Sequence, residues 1–273
     1  MKKNKSLLLS TPYILWMVVF TLIPLGVVGY YALTDPDTGA FTLSNLKDLG
    51  LYLPVLGSSV GYALISALIC LLLGYPVAYY IAHRTPVMQK ILYMLVMLPM
   101  CMSFLLRTLA WVGILETTGI VNTLLGKVGI EPLDMIGTPG AVILGMVYNY
   151  LPYMILPLYA IIVKIDNRLI EAAEDLGCNS VQVFSKVVLP LSMPGILSGI
   201  TMVFVPAVST FYISQKLGGT ETMLIGDVIE RQFKSAQNPN LGAALSLVLM
   251  VLVLVCTGIM NRFGSDEEGG VVV

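Results

Sequence analysis

The chain has 273 residues, of which 57% are hydrophobic and 11% are charged, and its formal net charge at pH 7 is -1. This composition lies outside the range of soluble globular domains and is typical of membrane proteins. The near-zero net charge argues against a nucleic-acid surface. One histidine and four widely separated cysteines indicate neither a metal cluster nor a disulfide framework.

The amino-terminal end carries Lys2, Lys3 and Lys5 before its first apolar run, as a signal peptide does. The run extends over residues 7–33, which is too long for the apolar core of a signal peptide, and it lacks a small-residue cleavage site. We therefore expect a first membrane span that is retained in the mature protein.

Five further apolar segments follow, and each is long enough to cross a bilayer core of about 30 Å, which needs roughly 20 helical residues. The runs are continuous and do not alternate, which favours helices over a barrel. We predict an all-α membrane protein with six transmembrane helices over residues 7–33, 55–82, 91–115, 141–163, 188–214 and 241–260. One membrane domain (7–263) is then flanked by an amino-terminal segment (1–6) and a tail (264–273).

The orientation follows from lysine and arginine, which are enriched in cytoplasmic loops. On the side of both termini lie Lys2, Lys3, Lys5, Arg84, Lys90, Lys164, Arg168, Lys186 and Arg262. The opposite side carries fewer, namely Lys47, Lys127, Lys216, Arg231 and Lys234. We predict a multi-pass membrane protein with both termini, segment 1–6 and tail 264–273, in the cytoplasm.

Two of the outward segments contain apolar residues at helical spacing. Residues 116–140 predict a short helix with the stripe Ile120, Val121, Leu124, Leu125 and Val128. Residues 221–234 predict a second helix with the apolar side Leu224, Ile225, Val228, Ile229 and Phe233, and with Asp227, Glu230, Arg231 and Lys234 elsewhere on it. Either helix could be a packed outer cap, or could dock on a partner or on the membrane interface.

Residues 166–190 form a charge-dense segment between the fourth and fifth spans. Asp166 or Asn167 is suited to cap a short helix through residue 176, which Gly177 would end in the left-handed conformation. Asn179 is suited to cap a second helix, with Gln182 as its capping-box partner. Pro190 fits the first turn of the next spanning helix. This pattern predicts two short helices outside the bilayer, rigidly joined to a span.

The same residues carry a family resemblance. Glu171, Ala172 and Ala173, then Gly177, then Leu189 and Pro190 resemble the "EAA…G…LP" cytoplasmic loop of ABC-importer permeases. Further positions resemble the spermidine/putrescine branch of these permeases, from about residue 13 to residue 262. They are residues 73–78 (LGYPVA), Arg107, 119–122 (GIVN), 151–152 (LP), 156–159 (LPLY), 218–219 (GG) and 224–226 (LIG).

The resemblance implies the type I ABC importer permease fold, with a cytoplasmic coupling helix between spans four and five. It also implies location in the bacterial cell (inner or plasma) membrane. It implies that Glu171 contacts an ATPase, that Ala172 and Ala173 allow close approach, and that Gly177 sets the turn. Asp175, Leu189 and Pro190 complete this coupling segment, which we define as residues 166–190. The implied partners are a second homologous permease, two copies of an ATPase subunit and an extracytoplasmic substrate-binding protein, besides the lipid bilayer; nucleic acid is not expected.

The chain lacks the phosphate-binding loop sequence of nucleotide-hydrolysing proteins and any recognisable catalytic constellation. We expect a transport subunit that is not an enzyme, without a cofactor or metal of its own, whose ATP and Mg²⁺ are bound by the partner. The resemblance implies uptake of spermidine or putrescine. The alternatives are an importer permease for an oxyanion, iron or another small solute, or a gradient-driven carrier.

Candidates for the substrate pathway are one deep charge and several aromatic and acidic residues. Arg107 lies within an apolar run, where charges face a cavity or a partner because exposure to lipid is costly; Trp111 lies one turn on. The alternative is that Arg107 snorkels to the outer interface. Groups suited to a cationic substrate are Glu116, Tyr148, Tyr153, Phe211, Tyr212 and Asp227. Any single tyrosine among them could equally belong to a structural aromatic belt.

Overall fold

The computed structural model describes residues 12–35, 39–219, 222–236 and 238–268. The predicted amino-terminal segment 1–6 and residues 269–273 of the predicted tail lie outside them. The described chain is nearly all helical, and six of its helical segments are long and apolar enough to cross a membrane. They are Pro12–Ala32, Leu49–Ala82, Phe104–Lys127, Pro139–Ile162, Ser180–Val208 and Pro239–Met260.

The chain divides into two compact units, and the first consists of residues 1–54 and 228–252. Its elements are α1 (Pro12–Ala32), the short α2 (Ser44–Lys47), most of α10 (Ile225–Lys234) and the first half of α11 (Pro239–Glu268). Two buried asparagines hold carbonyl groups at the end of α1: Asn45 donates to Ala32 and Thr34 at 3.2 and 3.0 Å, and Asn240 donates to Thr34 at 2.6 Å. These bonds satisfy carbonyls that a helix end leaves without an intrahelical partner.

The second unit consists of residues 55–227 and 253–273. It contains α3 (Leu53–Ala82), α4 (Pro86–Met97), α5 (Phe104–Leu115), α6 (Ile120–Lys127), α7 (Pro139–Ile162), α8 (Asn167–Asp175) and α9 (Ser180–Val208). Helices α7 and α9 approach closely at glycines: a Cβ on Gly199 would lie 2.6 Å from the Met154 sulfur, and one on Gly195 would lie 3.2 Å from the Pro157 carbonyl oxygen. Small residues allow such close packing of membrane helices.

The predicted third span, residues 91–115, is not one helix. Helix α4 continues as a 3₁₀ turn, Leu98–Cys101, the backbone is extended at Met102 and Ser103, and α5 then begins at Phe104. Pro99 lies in this turn and has no N–H for an α-helical hydrogen bond, which favours the break. The prediction of a continuous helix here was wrong, although the number of spans is confirmed. The third candidate span, Phe104–Lys127, comprises α5, a turn at residues 116–119 and α6.

The boundaries of other elements also differ from the prediction. The fifth span, predicted over 188–214, is continuous from Ser180 and ends at Val208. A separate π-helical turn, Ser214–Gly218, follows. The outer helix predicted over 221–234 begins at Ile225, and α11 continues beyond residue 260 to Glu268.

Candidate functional site

The coupling segment begins with helix α8, whose two ends are fixed as predicted. Asp166 is the amino-terminal cap, and its side chain accepts a hydrogen bond from the Arg168 amide at 3.0 Å. At the other end, Gly177 has a φ of 82° and its amide donates to the Glu174 carbonyl at 2.8 Å. A residue with a Cβ is disfavoured in this left-handed conformation. The glycine therefore sets the direction in which the chain enters the next helix.

Helix α9 begins with the predicted capping box. The Asn179 side chain accepts from the Gln182 amide at 2.9 Å, and the Gln182 side chain accepts from the Asn179 amide at 3.0 Å. Two amides that would otherwise lack a partner at the helix start are thereby satisfied.

The two adjacent alanines of α8 face opposite ways. Ala173 is buried in a small core with Val183 and Val188 of α9, whereas Ala172 is exposed. The absence of a large side chain at Ala173 lets α8 lie against the start of α9. The close approach inferred for both alanines is therefore made within this chain by Ala173, and Ala172 is accessible to a partner.

The solvent-exposed surface of the coupling segment includes acidic and apolar side chains. Glu171 and Asp175 are exposed, as are the apolar side chains of Leu176 and Val181, at 86% and 74%. Apolar side chains exposed within a polar rim are typical of a protein-binding surface.

Pro190 lies in the first turn of the α-helix Leu189–Val208, as predicted, but the helical segment that contains it begins ten residues earlier in the chain, at Ser180. A π-helical turn, Phe184–Val188, precedes the half-buried Leu189 and the exposed Pro190, and the Leu189 amide donates to the Phe184 carbonyl. Proline within an α-helix clashes with the carbonyl four residues before it, and a wider turn relieves that clash. The second half of the coupling segment, from Ser180 onward, and the fifth span thus form one continuous helical segment.

The start of the fifth span also contacts the second span. The hydroxyl oxygens of Tyr75 and Ser192 lie 2.8 Å apart in the interior, and the Phe184 ring packs edge-on against the rings of Tyr75 and Tyr79 at 5.4 and 6.2 Å. These residues were missed from the sequence. The one sequence feature that pointed to them was weak: Ser192 lies two positions after the Leu-Pro pair.

Arg107 is buried, with 5% of its surface exposed, so the snorkelling alternative does not hold within this chain. Its Nε and one terminal nitrogen are buried, and neither has a hydrogen-bond partner among the residues that the structure describes. The ring that packs against Trp111 is Tyr148, at 5.4 Å. A guanidinium buried in this way is energetically costly.

Several of the predicted aromatic residues are brought together around Phe104, which the sequence analysis missed although it lies one helical turn before Arg107. The Phe104 ring lies 6.5 Å from that of Tyr150 and 6.3 Å from that of Tyr212, and Tyr150 lies 6.3 Å from Tyr153. The Lys216 ammonium lies 5.9 Å from the centre of the Tyr212 ring. Tyr212 is thus already in cation–π contact with a primary ammonium group.

The remaining candidates have separate surroundings. Glu116 is exposed and lines a cavity of about 300 Å³ that Asp134 also lines, and Phe211 is exposed. Prediction that Asp227 lies off the buried side of its helix was wrong: it is 5% exposed, and its carboxylate accepts from the Leu224 amide at 2.8 Å. This bond supports the start of α10, where negative charge is favourable.

The short helix α6 is present as predicted, but the side it buries is polar. Asn122 is buried and joins the two ends of its loop, donating to the carbonyls of Glu116 and Leu133 and accepting from the Leu133 amide at 2.8 Å. The apolar residues Ile120, Leu124 and Val128 remain exposed. Their docking on an interface or a partner stays a prediction.

Known proteins resemble this chain in sequence and in fold. Residues 71–265 match the family model described as "Binding-protein-dependent transport system inner membrane component". The spermidine/putrescine transport system permease protein PotB of Haemophilus influenzae is 41% identical over 90% of each chain. PotB of Escherichia coli is 39% identical over 87% of this chain and 90% of its own.

A solved bacterial ABC transporter involved in import of the acidic polysaccharide alginate contains a similar chain. The TM-score is 0.81 at 18% identity, with 97% of this chain and 96% of that chain covered. At this identity the likeness concerns the fold alone, and it confirms the predicted fold class.

Proposed function

Because the chain belongs to the family of binding-protein-dependent transport system inner membrane components, we propose that it forms, with a second permease, the translocation pathway of an ATP-driven importer of polyamines. The substrates are spermidine and putrescine, delivered by an extracytoplasmic binding protein. Similarity to spermidine/putrescine permeases over nine-tenths of the chain carries this assignment. Both termini lie in the cytoplasm, as the distribution of lysine and arginine indicates.

Energy enters at the coupling segment. Two copies of an ATPase subunit bind ATP and Mg²⁺, and one copy docks on the exposed surface around Glu171, Ala172 and Leu176. The support for this is mechanical: the capping box and the small core around Ala173 hold α8 against α9. Because α9 is unbroken from Ser180 to Val208, displacement of the coupling segment moves the fifth span as a rigid body.

A polyamine presents ammonium groups separated by apolar methylene chains, which suits aromatic faces and carboxylates. The cluster of Phe104, Tyr150, Tyr153 and Tyr212 supplies the former, each ring attracting an ammonium by about 0.5 to 2 kcal/mol. The contact of the Lys216 ammonium with the Tyr212 ring is a cation–π interaction of the same kind within the chain. Glu116 and Asp134, which lie between helices α5 and α7 and line one cavity, supply the carboxylates.

The second candidate is an importer permease for an anionic solute. It is favoured by Arg107, whose buried nitrogens without partners would suit an oxyanion better than a cation. The two candidate functions predict different competitors for uptake: polyamines for the first and oxyanions for the second.

The test is uptake of labelled spermidine and putrescine by cells that lack their own polyamine importers and express the chain with its three kinds of partner. We expect saturable uptake that excess unlabelled polyamine abolishes and that phosphate or sulfate leaves unchanged. Competition by the oxyanions and not by polyamines would establish the second candidate. Uptake that survives inactivation of the ATPase but stops with an uncoupler would indicate a gradient-driven carrier.

A further inference from the structure

A second cavity of about 300 Å³ lies beside the coupling segment. Its lining includes two basic residues, His83 and Arg84, which we call its basic rim, and the apolar residues Ile162, Val163, Ile170 and Val188, which we call its apolar wall. None of the described residues that line it is acidic. The cavity therefore combines a basic rim with an apolar wall.

The basic rim is held in place by contacts with α3. The Arg84 guanidinium lies 4.0 Å from the centre of the Tyr80 ring. The His83 ring lies 4.1 Å from that of Tyr79, and its Nδ1 lies 2.9 Å from the Tyr79 carbonyl oxygen. Gln89 closes the turn by donating to the carbonyls of Ala82 and Arg84, each at 2.9 Å. An ordered rim loses less conformational entropy when a ligand binds.

The cavity lies where two membrane spans end. Helix α3 ends at Ala82 and helix α7 ends at Ile162, and both residues line it. The ends of spanning helices lie at the boundary between the hydrocarbon core and the lipid headgroups. Basic pockets between such helices at the cytoplasmic surface bind anionic lipid headgroups.

We propose that this cavity binds an anionic phospholipid, with the headgroup phosphate at Arg84 and His83 and an acyl chain against Ile162 and Val163. Ile170 and Val188 belong to the coupling segment, so the bound lipid contacts both that segment and the turn after the second span. The apolar wall favours a lipid over free phosphate as the source of the anion. The choice of the cytoplasmic leaflet rests on the proposed orientation, whereas lipid binding itself does not.

The first test measures retained lipid. The assembled complex is purified from membranes, reconstituted in phosphatidylcholine with added phosphatidylglycerol, re-extracted, and analysed for bound phosphatidylglycerol by native mass spectrometry. We expect Arg84→Gln to lower retention about fivefold, as loss of one basic residue at an anionic surface predicts, and Arg84→Lys to restore most of it. The matched control is Lys90→Gln, which removes a charge from an exposed residue near the start of α4 that does not line the cavity.

The second test locates the lipid. Phosphatidylglycerol with a photoreactive acyl chain should label the peptide around Val163 in the wild-type complex, and this labelling should fall in Arg84→Gln. Soluble glycerophosphoglycerol, which has the headgroup without acyl chains, should compete weakly. Equal retention in Arg84→Gln and wild type, labelling that free phosphate abolishes, or cross-linking of this peptide to the ATPase in place of lipid would overturn the proposal. None of these results depends on which solute is transported.

Discussion

The hydroxyl of Tyr75 donates a hydrogen bond to the hydroxyl oxygen of Ser192, across 2.8 Å of the protein interior. The direction follows from the partner's other bond, because the Ser192 hydroxyl itself donates to the Leu189 carbonyl at 2.9 Å. Tyr75 belongs to the second span, and Ser192 follows Pro190 on the helix that continues the coupling segment. The bond therefore joins the helix that carries the coupling segment to a neighbouring span.

Tyr75→Phe removes this bond and keeps the ring. We expect a loss of about 0.6 kcal/mol, the average for hydrogen bonds between membrane helices, and of at most about 1.7 kcal/mol, together with fewer substrate molecules imported per ATP hydrolysed. The measurements are thermal stability of the purified complex and the ratio of uptake to ATP hydrolysis in proteoliposomes. Tyr80→Phe, at an exposed position on the same helix, is the control. An unchanged ratio in Tyr75→Phe would mean that the bond takes no part in coupling.

Gly177→Val places a β-branched residue at a φ of 82°. The left-handed conformation costs an ordinary residue about 1 to 2 kcal/mol, so the turn between α8 and α9 should shift and uptake should fall while membrane insertion persists. Gly177→Asn is the matched control, because asparagine tolerates this conformation. Uptake assays measure transport by each variant, and membrane immunoblots measure its insertion. Equal uptake by valine and wild type, or equal loss in both variants, would rule out a backbone requirement.

The local chemistry of the coupling segment could be predicted because it depends on neighbouring residues. Asp166, Asn179 and Gly177 act within a few positions along the chain, and their caps and left-handed turn are confirmed. The π-helical turn before Pro190 was not predicted. It depends on two effects, relief of the proline clash and the packing of α9 on its neighbours. Local sequence preferences indicate the first effect but not the second.

Other features depend on long-range contacts. Asp227 is buried where the start of α10 packs on a distant helix, since the Ile225 amide donates to the Ser59 hydroxyl at 2.8 Å. The ring cluster at Phe104 joins residues from three separate segments. The break at Met102 and Ser103 follows Pro99, and whether a proline ends or only bends a membrane helix depends on the groups packed around it. The pathway roles of Glu116, Trp111, Tyr148 and the other candidates remain predictions.

Glu171→Lys reverses a charge on the exposed side of α8. Since like charges placed opposite one another across an interface cost several kcal/mol, we expect weaker association with the ATPase and uptake below about a tenth of the wild-type value. Co-purification of the ATPase with the tagged permease measures the association. Glu131→Lys, an exposed residue between α6 and α7, should leave both unchanged. Normal co-purification of Glu171→Lys would place the docking surface elsewhere.

Gly226→Ala tests a close backbone contact at the start of α10. A Cβ at this position would lie 2.5 Å from the Thr210 carbonyl oxygen and 2.9 Å from that of Ser209. These are main-chain atoms that cannot rotate away, so we expect a loss of about 1 to 3 kcal/mol, as for other overpacked sites. Gly258→Ala, where no atom lies within 4 Å, should be neutral or slightly stabilising. Thermal unfolding of the purified complex compares them, and similar midpoints would contradict the close contact.

Arg107→Met should separate stability from function. The buried guanidinium has two nitrogens without partners, and a charge in this setting costs about 2.5 to 3.5 kcal/mol on membrane-insertion scales. Replacement by methionine should therefore raise the thermal stability of the complex by up to about 3 kcal/mol. Uptake should fall, because a costly charge that is retained within a span usually serves the transport pathway. Arg107→Lys, which keeps the charge, should preserve more uptake than methionine does. A methionine variant that is less stable than wild type would show instead that a carboxylate of the second permease pairs with Arg107 in the assembled importer.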